Sequence, residues 1–122
     1  MNVRIKRVYE PAVKDDGLRV LVDRLWPRGL SKEAARIDLW LKDVAPSHTL
    51  RRWFDHDTGK WDEFRRRYAA ELRLTPDAFS QLATLARRRR VTLLFSSREL
   101  VHNNARALQE RLVARLGALR SP

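Results

Sequence analysis

The run Val91-Thr92-Leu93-Leu94-Phe95 has no polar face. A strand of this kind must be covered on both sides, which places it inside a sheet flanked by other layers. Three further runs read as strands: Val3–Tyr9, which alternates; Leu18–Leu25, β-rich with its polar residues at the far end; and Leu39–Val44, which alternates weakly. Between them lie helical patterns with legible starts. Ser31 caps a short helix through Arg36, and Ser47 caps another through Phe54. Trp61, Phe64, Tyr68 and Leu72 form one apolar stripe over 60–72. Thr75-Pro76 opens a helix to about Arg89 with Phe79, Leu82, Leu85 and Ala86 inward. Ser96-Ser97-Arg98-Glu99 has the spacing of a capping box, so the last helix is expected to start there and turn Val101, Ala105, Leu108, Leu112 and Leu116 to one side. Strands alternating with helices predict an α/β fold: a small, mostly parallel sheet of about four strands with helices on both faces. One domain over 1–118 accounts for the pattern, with 119–122 frayed.

Composition narrows the function classes. The 122 residues carry no cysteine, so disulfides, thiolate nucleophiles and cysteine zinc sites are excluded. Charges interrupt every apolar run well short of a membrane span, and the first nine residues lack the apolar core of a signal peptide. The expected location is the cytoplasm, with no membrane partner. The net charge is +11, mostly arginine and spread along the chain. Such a chain attracts polyanions without thereby recognising any one of them, and arginine-rich codon usage produces the same excess.

Two segments concentrate polar chemistry. In Val22-Asp23-Arg24-Leu25-Trp26-Pro27-Arg28-Gly29 a strand runs into a turn, so Asp23, Arg24 and Arg28 stand near a strand's C-terminal end, the edge at which open α/β sheets bind ligands. Asp23 between two arginines leaves a spare guanidinium for phosphate or carboxylate, or else simply ties the strand to a neighbouring helix. Trp26, beside the turn, is a candidate stacking platform. The second segment is Phe95-Ser96-Ser97-Arg98-Glu99 with His102 and Asn103 behind it. A strand passing straight into a helix offers free N–H groups to an anion. Arg98, His102 and Arg106 would then form a row, with His102 able to exchange a proton near neutral pH. The alternative is that the serines merely cap.

Other motifs carry less. His48, His56 and His102 are scattered along the chain, and Asp55-His56-Asp57 has no second histidine at helical spacing, so no metal is expected. No glycine-rich phosphate loop is present and no cofactor is expected. Arg65–Arg67 and Arg87–Arg90 fan around their helices and read as solvated ends. Nothing resembles a serine-hydrolase elbow.

The block from Asp16 through Lys32, with Trp40-Leu41-Lys42-Asp43, Ala45-Pro46-Ser47, Leu50 to Phe54, His56-Asp57, Phe64 to Tyr68, Val91 to Leu94 and His102-Asn103, resembles the YeaO-like family of uncharacterised bacterial proteins, domain of unknown function 488. The likeness covers nearly the whole chain and implies a small cytosolic α/β protein with no assigned activity. Where that family usually reads Tyr-Ala-Ala-Arg-Asp, this chain has Phe95-Ser96-Ser97-Arg98-Glu99. If strands 18–25 and 91–95 are parallel neighbours, both polar segments emerge at one sheet edge. The expectation is a site there for a phosphate-bearing small molecule, with Arg24, Arg28 and Arg98 as clamps. Trp26, Ser96, Ser97 and Asn103 would be further contacts. His102 would act as acid–base, and Asp23 would orient an arginine or the histidine. The alternative is a non-catalytic module that binds nucleic acid through diffuse charge.

Overall fold

The computed structural model describes residues 3–120. Its four strands are β1 (Val3–Arg7), β2 (Leu18–Leu21), β3 (Leu39–Trp40) and β4 (Val91–Phe95), in the order β1-β4-β2-β3, all parallel. The helices are α1 (Lys32–Ala35), α2 (His48–Phe54), α3 (Trp61–Leu72), α4 (Pro76–Arg88) and α5 (Asn104–Arg120). This is the expected α/β class. β4 sits between β1 and β2, and each of its five residues is buried, as its sequence requires.

The two faces of the sheet are covered differently. Val20, Val22, Val91, Leu93 and Phe95 point into a core completed by α2, α3, α4 and α5. Their inward residues include Phe54, Phe64, Leu82 and Leu108. On the other face Leu21 and Leu94 meet a smaller cluster with Val8, Trp26, Leu30 and Trp40, and only the single turn of α1 lies there. The rest of that face is sealed by charge. Asp16, 2% exposed, accepts from Arg19 at 2.6 Å and from Lys6 at 3.1 Å, while Arg19 also donates to the carbonyls of Ala35 and Arg36. Thr92 Oγ1 of β4 donates to the Asp16 carbonyl at 2.6 Å. Gly17 follows with φ of 65°, and a Cβ there would collide with the Arg90 carbonyl that accepts from Leu18 N–H, so only glycine fits.

Local rules explain most boundaries. Ser31 and Ser47 accept from Ala34 and Leu50 N–H, capping α1 and α2. Pro76 opens α4, although the Thr75 hydroxyl is buried and makes no hydrogen bond. Asp57 accepts from Gly59 N–H and caps the turn leading into α3. The strands at 3–9, 18–25 and 39–44 are shorter than expected. Beyond Trp40, Leu41 N–H still bonds the Leu21 carbonyl, but residues 42–44 close into a 3-10 turn.

The largest correction concerns 96–103, which is a loop. Ser97 Oγ accepts from Glu99 N–H, and Glu99 Oε1 accepts from Val101 and His102 N–H, so the capping-box residues fold a turn instead of a helix. The true cap is Asn103, whose Oδ1 accepts from Arg106 N–H. Ala105, Leu108, Leu112 and Leu116 are buried as expected, whereas Val101 is exposed. Of the terminus expected to fray, 119 and 120 belong to α5, and 121–122 lie outside the described residues.

Candidate functional site

β2 and β4 are parallel neighbours, so their C-terminal ends share one edge. From that edge the chain after β2 turns toward the second face, where Trp26 and Leu30 pack, while the chain after β4 returns to the first face as α5. Connections that diverge in this way open a crevice between the strand ends. Asp23, 8% exposed, spans it. Its Oδ2 accepts from Ser96 N–H at 2.9 Å and Ser96 Oγ at 2.7 Å, and its Oδ1 accepts from Asn104 Nδ2 at 3.0 Å. One carboxylate thus fixes the end of β2, the end of β4 and the start of α5. The gap on β4's other side is bridged by Arg7, which donates to the Ser96 and Ser97 carbonyls.

Beside this anchor lies a cleft of about 410 Å³. Asp23, Ser96 and Ser97 line its sheet side, and His102, Asn103 and Asn104 the side toward α5. The opposite wall is α2 and the turn after it, with His48, Arg51, Arg52, Asp55 and His56; Pro46, Phe54 and Phe64 complete the lining. α2 is held in place by Glu71 of α3, which accepts from Ser47 N–H at 2.8 Å and Ser47 Oγ at 2.6 Å. Asp55 and His56 both adopt left-handed backbone, φ 43° and 57°, in the turn that ends α2 at the cleft wall. All three histidines of the chain line this one cavity.

His102 sits with its ring edge-on to Trp61, centroids 5.1 Å apart, and its Nδ1 3.7 Å from Glu99 Oε1. The N–H groups of His102 and Val101 hold the Glu99 carboxyl below its ordinary range, and the nearby His102 and His56 add to this. The buried Tyr68 hydroxyl donates to the Val44 carbonyl, and burial pushes its pKa up, keeping it a neutral tie.

Of the residues expected to form a site, Asp23, Ser96, Ser97, His102 and Asn103 come together here, and the others do not. Arg24 donates to the carbonyls of Ala45 and Pro46, fixing the approach to α2. Trp26 is half-buried, its Nε1 donating to Leu30 and its ring edge-on to Trp40 at 5.5 Å, so it is a packing residue. Arg28 is exposed, with its carbonyl accepting from Tyr9, and Arg98 is exposed on the loop; neither lines the cleft. Asp23 has serine and asparagine donors where an arginine or a histidine was expected. The row Arg98, His102, Arg106 does not form because the helix begins only at Asn104. His48, Arg51, Arg52 and His56 were not anticipated as site residues. Their signal was the Ser47 cap, which fixes the helix carrying His48, Arg51 and Arg52 and leading to His56, but its position against the sheet edge depends on Glu71 and Arg24.

A parallel α/β sheet with a polar cleft at its C-terminal edge defines the class of molecule. The chain belongs to the YeaO-like DUF488 family: residues 2–121 match the group described as the inactive DUF488-N3 subclade. It is 41% identical over 110 residues to uncharacterized protein YeaO of Escherichia coli K12, covering 90% of this chain and 96% of that one. It is 43% identical over 114 residues to uncharacterized protein Rv3073c of Mycobacterium tuberculosis H37Rv, and equally to Mb3100c of Mycobacterium bovis, covering 93% of this chain and 96% of each relative. No solved structure matches the chain. No described helix is long and apolar enough to cross a membrane, and no group of potential metal ligands occurs among the described residues.

Proposed function

We propose that this protein binds a small phosphate-bearing molecule in the cleft at the sheet edge, with α2 supplying the cations. The observation that carries this reading is the convergence of Arg51, Arg52, His48, His56 and His102 on one cavity between the diverging ends of β2 and β4. Guanidinium groups fork onto phosphate oxygens, and about 410 Å³ lies within the ordinary range for small-ligand pockets. Asp23 is a positioning residue, since each of its carboxylate oxygens is engaged with Ser96 or Asn104. That leaves His102 as the acid–base group nearest the sheet edge. Membership of a subclade described as inactive fits recognition without turnover, with His102 as a contact to the ligand.

The test is thermal shift against phosphate, nucleotides and sugar phosphates at physiological salt. A ligand at 100-fold over its Kd adds about 2.7 kcal/mol, a rise of roughly 10 °C for a domain of this size. The rise is expected to vanish in Arg51→Ala/Arg52→Ala and to persist in Arg28→Ala, whose side chain lies outside the cleft. No shift with any phosphate compound, or a shift untouched by the double substitution, would overturn the reading.

A further inference from the structure

A second surface shares no lining residue with the sheet-edge cleft. Two hollows run along the outer side of the helical layer between α3 and α5, one reaching the first turn of α4. They share Ala69, Arg73 and Arg111 and therefore form one continuous groove. Its floor is open because Ala69, Ala107 and Ala114 carry no bulk. Its walls carry five arginines: Arg65, Arg66, Arg73, Arg111 and Arg115.

These arginines differ in what they already hold. Arg65 is paired with Asp62 and Glu110, and Arg66 with Glu63. Arg115 lies over the Phe79 ring, 5.5 Å from its centroid, and reaches Ser80 at 3.4 Å. Arg73 and Arg111 are exposed, and neither guanidinium has a partner among the described residues. Two unneutralised guanidinium groups at the centre of a groove are a standing attraction for anions. Arg111 and Arg115 are one helical turn apart, about 6 Å along the axis, and Arg66 and Arg73 about 10 Å. Cations repeated along a groove suit a ligand with repeated charge better than a lone anion.

We propose that this groove binds single-stranded nucleic acid, with Arg73 and Arg111 on its phosphates and a base against the Arg115 guanidinium that lies over the half-buried Phe79 ring. The choice of a single strand rests on the hollow beside the arginines. Leu72, Ala69 and Ala114 surround the half-buried Phe79 there, and apolar and aromatic surface next to cations serves unstacked bases. A duplex offers that surface nothing but phosphate. Arginine also matches phosphate oxygens in a two-pronged geometry that lysine lacks.

The experiment is fluorescence anisotropy of a labelled 20-nucleotide mixed-sequence single strand, with its duplex and a polyglutamate peptide as competitors. Four proteins are compared: wild type, Arg73→Ala/Arg111→Ala, Phe79→Leu and the charge-matched Arg87→Ala/Arg88→Ala at the exposed end of α4. Thermal melts establish that each is folded. The groove variant is expected to lose roughly tenfold or more in affinity and about 1.4 from the slope of log K against log salt, the value for two phosphate contacts on a single strand. The α4 variant should lose less than about threefold, since it removes only distant charge screened by salt. Phe79→Leu should weaken binding several-fold while leaving the salt slope unchanged. Equal losses in the two double variants would overturn the proposal in favour of diffuse attraction. Stronger competition by duplex or by polyglutamate would overturn it in favour of another partner, and absence of binding would overturn it outright. None of these results bears on the Arg51→Ala/Arg52→Ala thermal shift, so the two proposals stand or fall separately.

Discussion

Asp16→Ala is expected to lower the unfolding free energy by about 3–5 kcal/mol, the range for removing one partner of a buried ion pair. The substitution leaves Arg19, whose side chain is 5% exposed, with carbonyl partners but no counter-charge. It also frees Lys6, whose remaining bond is to the Pro11 carbonyl. Asp15, next along the chain, makes an informative contrast. It is paired with Arg4 and Arg90 but largely exposed, and its replacement by alanine should cost far less because solvent and salt screen the pairs. Burial alone would raise the Asp16 pKa; the N–H of Val13 and the charges of Lys6 and Arg19 more than offset this and hold it below the usual carboxylate value. A lowered folded pKa gives stability that is complete above the unfolded value, about 3.9, and is lost as pH falls through the folded one. Urea unfolding should therefore show a constant gap between wild type and Asp16→Ala from pH 8 to about pH 5, closing in stronger acid. A gap constant down to pH 2 would rule out the carboxylate as its source.

Asp23→Ala should cost about 3 kcal/mol and abolish ligand stabilisation at the sheet edge together with it. The loss leaves the Ser96 N–H, the Ser96 hydroxyl and the Asn104 amide short of their acceptor, each in a part-buried position. Asp23→Asn is expected to recover little, because whichever way the amide is turned it presents an NH2 group either to Asn104 Nδ2 or to the Ser96 N–H. Adding Asn104→Asp restores one donor–acceptor pair. It also sets a carboxylate against the Val22 carbonyl, which now accepts from Asn104 at 3.1 Å, so the rescue should be partial. Equilibrium unfolding of wild type, Asp23→Asn, Asn104→Asp and the double variant gives the coupling energy directly. Independence of positions 23 and 104 would show that the carboxylate does not join the strand end to the helix.

Periodicity and caps carried the parts of the fold that local physics decides. β4 was legible to the residue because no alternative hides five consecutive buried side chains, and α2 began where the serine hydroxyl could take an N–H. The start of α5 was misplaced for the same kind of reason. Ser97 and Glu99 do bond neighbouring N–H groups, but from a loop, and Asn103 three residues before Arg106 was the cap to prefer. The candidate site was half legible. Asp23 and Ser96 sit just past strand ends, with His102 on the loop that follows β4, so their placement near the sheet edge could be read from the strands. His48, Arg51, Arg52 and His56 arrive there through contacts of Ser47 with Glu71 and of Arg24 with two carbonyls, which no single segment announces. Arg24 illustrates the converse: a cation beside a strand end reads as a clamp until its partners are seen to be backbone.

The strand order has a consequence for synthesis on the ribosome. β1 and β2 are made early but do not touch; the strand that joins them is β4, about 70 residues further on. Until Phe95 has left the exit tunnel, the nascent chain can pair only the short β3 with β2, and Val3 to Arg7 has no strand to lie against. The amino-terminal segment must wait, uncommitted and bearing exposed strand edges, while the four helices α1 to α4 are translated. Its three cations, Arg4, Lys6 and Arg7, keep that waiting segment soluble, and two of them later pair with Asp15 and Asp16 once the sheet closes.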